Sequence, residues 1–488
     1  MIEFSAADIA EITSGSLSPS ARAEASLRVS SATTDSRESR AGGLFFAKRG
    51  EVSDGHLHAA QAFANGAVLA VAEHAVLDDA GADLPAVIVA DTVLAMGALA
   101  AEAVRRLREH SALTVIGITG SAGKTTTKDL LYGILAAEGT TVAPTGSFNG
   151  EVGVPLTIFS AEYGTRYLII EMGATRRGNI DYLARMVRPD VGVVLCVGSA
   201  HAGEFGGIEN IAVAKGELLE ALDAAGTAII NADDERVLAM RERTAARRMY
   251  FTSSTDFRPA DGPVLTAVHG TTTTAGHPTF ELKLPDGSMH AVTSPLIGLH
   301  QIDNLLAAAA VAWAVGVPGE RIARALNTTG AASRWRMERT ERPDGVTVIN
   351  DAYNANPESM RAALRTLAEL GRDRRTWAVL GEMLELGERS IEEHDLLGRV
   401  AVRLNISRLL AIGSGTRALY NGAVLEGSWG EEAQHVPDVE TAERLLEQEL
   451  RPGDLVLFKS SNGAGLRFLG DRIALRTDAI APPEGPQS

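Results

Sequence analysis

Lys124 and Thr125 stand at the end of Gly117-Ile-Thr-Gly-Ser-Ala-Gly-Lys-Thr-Thr126, the run with the most specific chemistry in the chain. An apolar strand, a glycine-rich turn and Lys-Thr opening a helix form the context that a phosphate-binding loop requires. Gly120 and Gly123, with Ser121 and Ala122 between them, let the backbone approach a polyphosphate. The first N–H groups of the helix, Thr126 included, attract the anion. Lys124 is placed to reach the β- and γ-phosphates of a nucleotide and the Thr125 hydroxyl to bind Mg²⁺. The longer GxxxxGK[ST] pattern is not met, because Ile118 occupies the position of its first glycine. The shorter TGSAGKTT form still predicts an ATPase or GTPase site.

Three more candidates follow later strands. Glu171 closes YLIIEMG at the C-terminal end of a strand, where open parallel sheets bind ligands. A carboxylate there either holds Mg²⁺ beside phosphates or faces solvent, and the segment alone does not choose. His201, in GSAHAGEFGG after VGVVLCVG, sits at a comparable end, although a lone histidine is more often structural than a ligand. Lys215 lies in the predicted helix GIENIAVAKGELLEALD, whose apolar face carries Ile208, Ile211, Leu218, Leu219 and Leu222. It falls on that same face, four residues after Ile211 and three before Leu218. An ammonium there must snorkel to water, pair, or lose its charge.

The elements that must position these groups read as α/β throughout. At 488 residues the chain is too long for one core. Residues 1–110 form a small α/β domain with strand candidates 43–47, 67–72 and 86–90 and a closing helix from Leu94 to about His110. Residues 111–327 form a central phosphate-loop domain. Its strands LTVIGIT, YLIIEM, VGVVLCVG and TAIIN alternate with helical sequence, the signature of a mostly parallel sheet covered on both faces. The Thr/Gly/Pro-rich stretch 252–295 reads as an antiparallel excursion, and the helix NLLAAAAVAWAVG follows it. Residues 328–488 form a third, Rossmann-like α/β domain with strands VTVIN, TWAVLG, RLLAIG and DLVLFK.

Composition narrows the function. A net charge of −16, from 46 basic and 62 acidic residues, argues against a nucleic-acid binder but leaves room for a local anion site. The single cysteine, Cys196, rules out an intrachain disulfide and reads as a small core residue in a reducing compartment. MIEFSAADIAEITSG has no apolar signal-peptide core, and no stretch approaches the ~20 apolar residues of a membrane span. The expectation is a soluble cytoplasmic protein acting as a monomer, with a loose Pro-rich tail, APPEGPQS.

TDSRESRAGGLFFAKRG, DGHLHAAQAFANGA, TGSAGKTTTK, AHAGEFGGIENIAVAKGEL, GLHQIDN, NDAYNANPESM and LGEMLELGERSIEEH together resemble the Mur ligase family over nearly the whole chain. The resemblance implies an ATP-dependent amide ligase. Its first domain would bind a uridine nucleotide through Ser36, Arg37 and Lys48, with Asn149 also on the substrate. Lys215 would carry CO₂ as a carbamate; with His201 it would hold a second Mg²⁺, while Thr125 and Glu171 hold the first. Lys124, Lys215 and His201 are the expected catalytic groups. Asn304 would contact the nucleotide, and Arg336 (with Arg334 as substitute), Asp351, Asn354 and Asn356 would close over ATP.

NDAYNANPESM resembles the branch that adds D-alanyl-D-alanine to UDP-N-acetylmuramoyl-tripeptide, and the DNPR-type motif of the diamino-acid-adding branch is missing. Two departures stand out. Paired asparagines are replaced by Asn149-Gly150, and a late KGSR motif appears as Lys459-Ser-Ser-Asn462, without its basic end. The rival readings are a sister ligase adding a single amino acid and an ATP-driven switch; no DxxG-type sensor follows YLIIEMG to favour the switch.

Overall fold

The computed structural model describes residues 1–24, 26–50, 53–199, 202–427 and 432–476. Its first sheet has five strands in the order Ser16–Leu17, Ala86–Ile88, Ala67–Ala72, Gly43–Phe46, Ser31–Thr33. All neighbours in it run parallel except the first pair. His56, in the DGHLH segment, is structural here. Its Nδ1 bonds Asp54 at 2.6 Å and its Nε2 accepts the Glu73 N–H at 2.9 Å, which ties the turn to the end of the Ala67–Ala72 strand.

The helix that closes this unit runs Thr92–His110 and is capped by Asp91, whose carboxylate accepts from the Val93 and Leu94 N–H groups. Gly97 lets it lie against the helix Asn179–Val187, since a Cβ there would collide with the Tyr182 hydroxyl. The result is one continuous core. Phe46, Leu99 and Leu107 pack in the same cluster as Val115, Leu168, Ile170 and Leu183 from beyond residue 111.

The central sheet has nine strands. The strand Thr114–Thr119 lies between Val191–Val194 on one side and Tyr167–Glu171 on the other, so the strand order reverses there and opens a crevice at the C-terminal ends. The phosphate loop leaves from that strand. Val191–Val194 is shorter than expected because the next backbone groups are claimed by side chains. Leu195 O accepts from Asn231 Nδ2 at 2.7 Å, Val197 N–H donates to Asp234 at 2.8 Å, and Gly198 N–H donates to Ser121 Oγ at 2.8 Å. The expected excursion appears as Val264–Thr272, Pro278–Lys283 and Met289–Thr293, antiparallel to one another. They extend the same sheet, the first of them pairing parallel to Arg247–Thr252.

The third domain holds a six-stranded sheet, parallel but for its edge strand Glu338–Glu341, with apolar clusters on both faces. The architecture is α/β in three domains. No helix among the described residues is long and apolar enough to cross a membrane.

The first two domains share a core, whereas the third meets the phosphate loop through single hydrogen bonds described below. Polar contacts of that kind exchange readily with water, so a hinge near residues 325–340 is the expectation. Small-angle scattering should show residues beyond the hinge swinging as a rigid body when nucleotide and substrate are added. Identical curves with and without ligands would contradict it.

Candidate functional site

The phosphate loop is formed by residues 120–123, because Ile118 is still a fully buried strand residue. Gly123 caps the helix Lys124–Leu135 at φ +83°, and a Cβ on it would strike Asn304 Oδ1. Ser121 locks the loop to the neighbouring strand's end, its Oγ donating to Gly198 O at 3.2 Å. Lys124 bends back over the loop, with Nζ 2.7 Å from Gly120 O. Burial holds its pKa below the usual lysine value, against the pull of the Glu171 carboxylate.

Glu171 is 1% exposed and accepts three hydrogen bonds, from Thr125 Oγ1 at 3.0 Å, Ser147 Oγ at 2.9 Å and Asn149 Nδ2 at 2.9 Å. The solvent-facing alternative for Glu171 is thereby excluded. Carboxylate and hydroxyl oxygens meeting beside a phosphate loop form a hard donor set that fits Mg²⁺.

Lys215 sits in the helix Ile208–Glu220 and is 4% exposed, so it does not snorkel to bulk water. It lines the cavity, and among the described residues its ammonium has no hydrogen bond or ion pair. Burial, reinforced by the nearby Lys124 charge, pushes its pKa down to about 7. A buried amine with its pKa lowered toward 7 and no partner among the described residues fits carbamate formation by CO₂, because only the neutral amine is nucleophilic. His201 lies outside the described residues. Cys196 packs on the core and also faces the cavity, its Sγ 3.7 Å from Ala122 O, while burial raises its thiol pKa.

The third domain supplies the opposite wall. Arg336 Nη2 reaches Thr125 Oγ1 at 3.2 Å, and Asn356 Nδ2 donates to Ser121 O at 3.2 Å while its Oδ1 caps its own helix at Ser359 N–H. Glu358 accepts from Ser199 N–H at 2.9 Å. Asp351 accepts from Lys459 Nζ at 2.5 Å and from Met337 N–H at 3.0 Å, so it organises this wall. His300 lines the cavity beside that ion pair, and burial holds its pKa near 4. The cavity measures about 1570 Å³, room for more than one substrate.

Of the residues expected from sequence, Gly120 to Thr126, Lys48, Asn149, Glu171, Lys215, Asn304, Arg336, Asp351 and Asn354 all line this cavity. Arg334 does not; it pairs with Asp471 at 3.0 Å. Ser36 and Arg37 also stay outside. Ser36 is buried and donates to Gln61 Oε1 at 2.9 Å, and Arg37 folds back on Asp35 at 2.6 Å. Gly150 faces open space, where a side chain would fit. Asn462 lines the cavity with its Oδ1 held by the Arg467 guanidinium. Ser147, His300 and Glu358 were not anticipated individually, although GLHQIDN and NDAYNANPESM contain two of them.

A phosphate loop at the switch point of a parallel sheet, roofed by a second α/β domain with a mostly parallel sheet, defines a nucleotide-dependent enzyme assembled from three α/β domains. The family descriptions "Mur ligase family, catalytic domain", "Mur ligase middle domain" and "Mur ligase, glutamate ligase domain" match residues 28–104, 118–312 and 335–462. The chain is similar to the UDP-N-acetylmuramoyl-tripeptide–D-alanyl-D-alanine ligase of Mycobacterium tuberculosis, 44% identical over 97% of this chain and 98% of that one. The Escherichia coli protein of the same name is 34% identical over 86% and 88%. Among solved structures, MurF from Acinetobacter baumannii superposes with a TM-score of 0.84 at 30% identity, covering 98% of this chain and all of that one. MurF ligase from Thermotoga maritima in complex with ADP gives 0.74 at 27%, covering 91% and 98%. The chain belongs to the Mur ligase family and is an ATP-dependent ligase.

Proposed function

We propose that this chain joins D-alanyl-D-alanine to UDP-N-acetylmuramoyl-tripeptide in the cytoplasm, as a monomer, with two Mg²⁺ ions and a Lys215 carbamate. The observation that carries it is the cavity where the Lys124–Thr125 loop, the Glu171 cluster and Arg336 face one another. The whole-length similarity to relatives of that name supports the choice of substrates.

The tripeptide's terminal carboxylate is a poor electrophile and must be activated first. Its oxygen attacks the γ-phosphorus of ATP, giving an acyl phosphate and ADP. The dipeptide amine then attacks the acyl carbon, and phosphate leaves from the tetrahedral intermediate. No protein nucleophile is required. Lys124 and Arg336 offset the repulsion between carboxylate and triphosphate, and the loop's N–H groups orient the phosphates. Thr125 and Glu171 would hold one Mg²⁺ and carbamylated Lys215 with His201 the other, and the ions would supply charge neutralisation at the transferring phosphoryl group. Lys48 reaches the cavity from the first domain and would meet the nucleotide-sugar substrate.

The test is ADP release with UDP-N-acetylmuramoyl-tripeptide, adding either D-alanyl-D-alanine or free amino acids. Release that needs the dipeptide, with a product heavier by the dipeptide less one water, is expected. Release only with a free amino acid would move the chain to a sister ligase of the same mechanism.

A further inference from the structure

The phosphate-loop helix meets the linker to the third domain along a single stripe. Thr125, Asp129 and Gly133 fall at i, i+4 and i+8 on one helical face. Thr125 Oγ1 receives Arg336, Asp129 Oδ2 accepts the Ser333 N–H at 3.0 Å, and a Cβ on Gly133 would stand 2.5 Å from Thr329 Oγ1. The linker therefore runs antiparallel down the helix, with Arg336 arriving at the phosphate end.

Asp129 and Lys128 are 6% and 4% exposed, an unusual depth for adjacent charges on a helix. Lys128 Nζ bonds Asp129 at 2.6 Å, Pro144 O at 3.0 Å and Ser333 Oγ at 3.4 Å. Burying such a pair costs more than an apolar pair of the same size, so stability alone is a poor reason for it. On the far side of Ser333 the backbone is strained. Trp335 and Met337, flanking Arg336, have φ +59° and +54°, the left-handed region that bulky side chains avoid. Met337 N–H is tied to Asp351, and the Arg336 guanidinium lies 4.4 Å over the Tyr353 ring. Among the described residues the Arg336 Nε is buried without a partner, leaving it available to a ligand.

We infer that Asp129 is a positioning residue for the phosphoryl-transfer step. By holding Ser333 it fixes the register of the linker, so that the strained turn at 335–337 delivers Arg336 to the phosphates. This rests on the proposed role of Arg336 toward ATP.

A double-mutant cycle on the full chain tests it, with single-turnover ADP formation as the rate and thermal unfolding as the control for folding. Asp129→Ala should slow the step about tenfold when Arg336 is present and leave it nearly unchanged in an Arg336→Ala background. Asp129→Asn, which keeps an acceptor oxygen for the Ser333 N–H, should recover most of the rate. Should Asp129→Ala fail to fold, Gly133→Ala, which displaces Thr329, must show the same dependence on Arg336. Equal slowing in both backgrounds would overturn the positioning role while leaving the Arg336 assignment intact. An Arg336→Ala enzyme with undiminished rate would overturn that assignment and this inference with it.

Discussion

Replacing Lys124 with alanine is expected to lower ADP formation by about 10³-fold or more, as removing a preorganised donor to developing charge does. The side chain curls over the loop it closes, held at 2.7 Å by Gly120 O, and burial has already removed much of its hydration. Little reorganisation then remains when the transferring phosphoryl group gathers charge. Because the interaction strengthens in the transition state, the loss should fall mainly on kcat rather than on the KM for ATP. Lys124→Arg should rescue poorly, since a planar fork does not fit where one ammonium bends back onto a carbonyl. The thermal midpoint should not fall, because no ion pair of the fold depends on this group among the described residues and its burial as a cation is itself a cost. Retention of most activity by the alanine variant would sink the phosphate-loop assignment.

Much of this site was legible because its chemistry follows the order of the chain. Glu171 ends an apolar strand and Lys124 and Thr125 follow another, and parallel sheets bring such positions to one edge. Lys215 was legible for the opposite reason, as a charge on the wrong face of a helix. The structure removes one of its three options, because the residue is too deep to snorkel.

What was not legible depends on long-range pairing. Ser147 lies in the loop GSFNG, without periodicity, and gains meaning only by bonding Glu171. Lys128 and Asp129 read locally as an ordinary polar helix surface, and it takes the returning linker and the segment at Pro144 to engage them. Arg247–Thr252 begins with two arginines and so hides a strand that the sheet nonetheless requires. The expected boundary near residue 110 does not separate two cores, because the helix Thr92–His110 carries one core across it. Ser36 and Arg37, expected on the substrate from motif resemblance, are held by the bond to Gln61 and the cap at Asp35 and are not among the residues lining the cavity.

Lys215→Ala should abolish most turnover while the fold survives, and the pH dependence gives the sharper test. Burial lowers the pKa of this lysine from 10.5 to about 7, so the neutral amine dominates above pH 7 and the ammonium below it. Carbamate formation needs the neutral amine and should therefore rise with pH through 7. Enzyme prepared without CO₂ should be weakly active and recover when bicarbonate is added, readily at pH 8 and poorly at pH 6. Labelled ¹³CO₂ should give a carbamate signal that Lys215→Arg lacks. The same shift fixes the sign of a stability effect. For a base whose folded pKa is depressed, the penalty is absent above the unfolded value, grows as pH falls from 10.5 toward 7, and is complete below that. Lys215→Met should accordingly raise the thermal midpoint at pH 6 in CO₂-free buffer, with a gain that shrinks toward pH 10. An unchanged midpoint at pH 6 would mean that the ammonium is solvated after all. Normal turnover by Lys215→Ala would remove the carbamate from the mechanism.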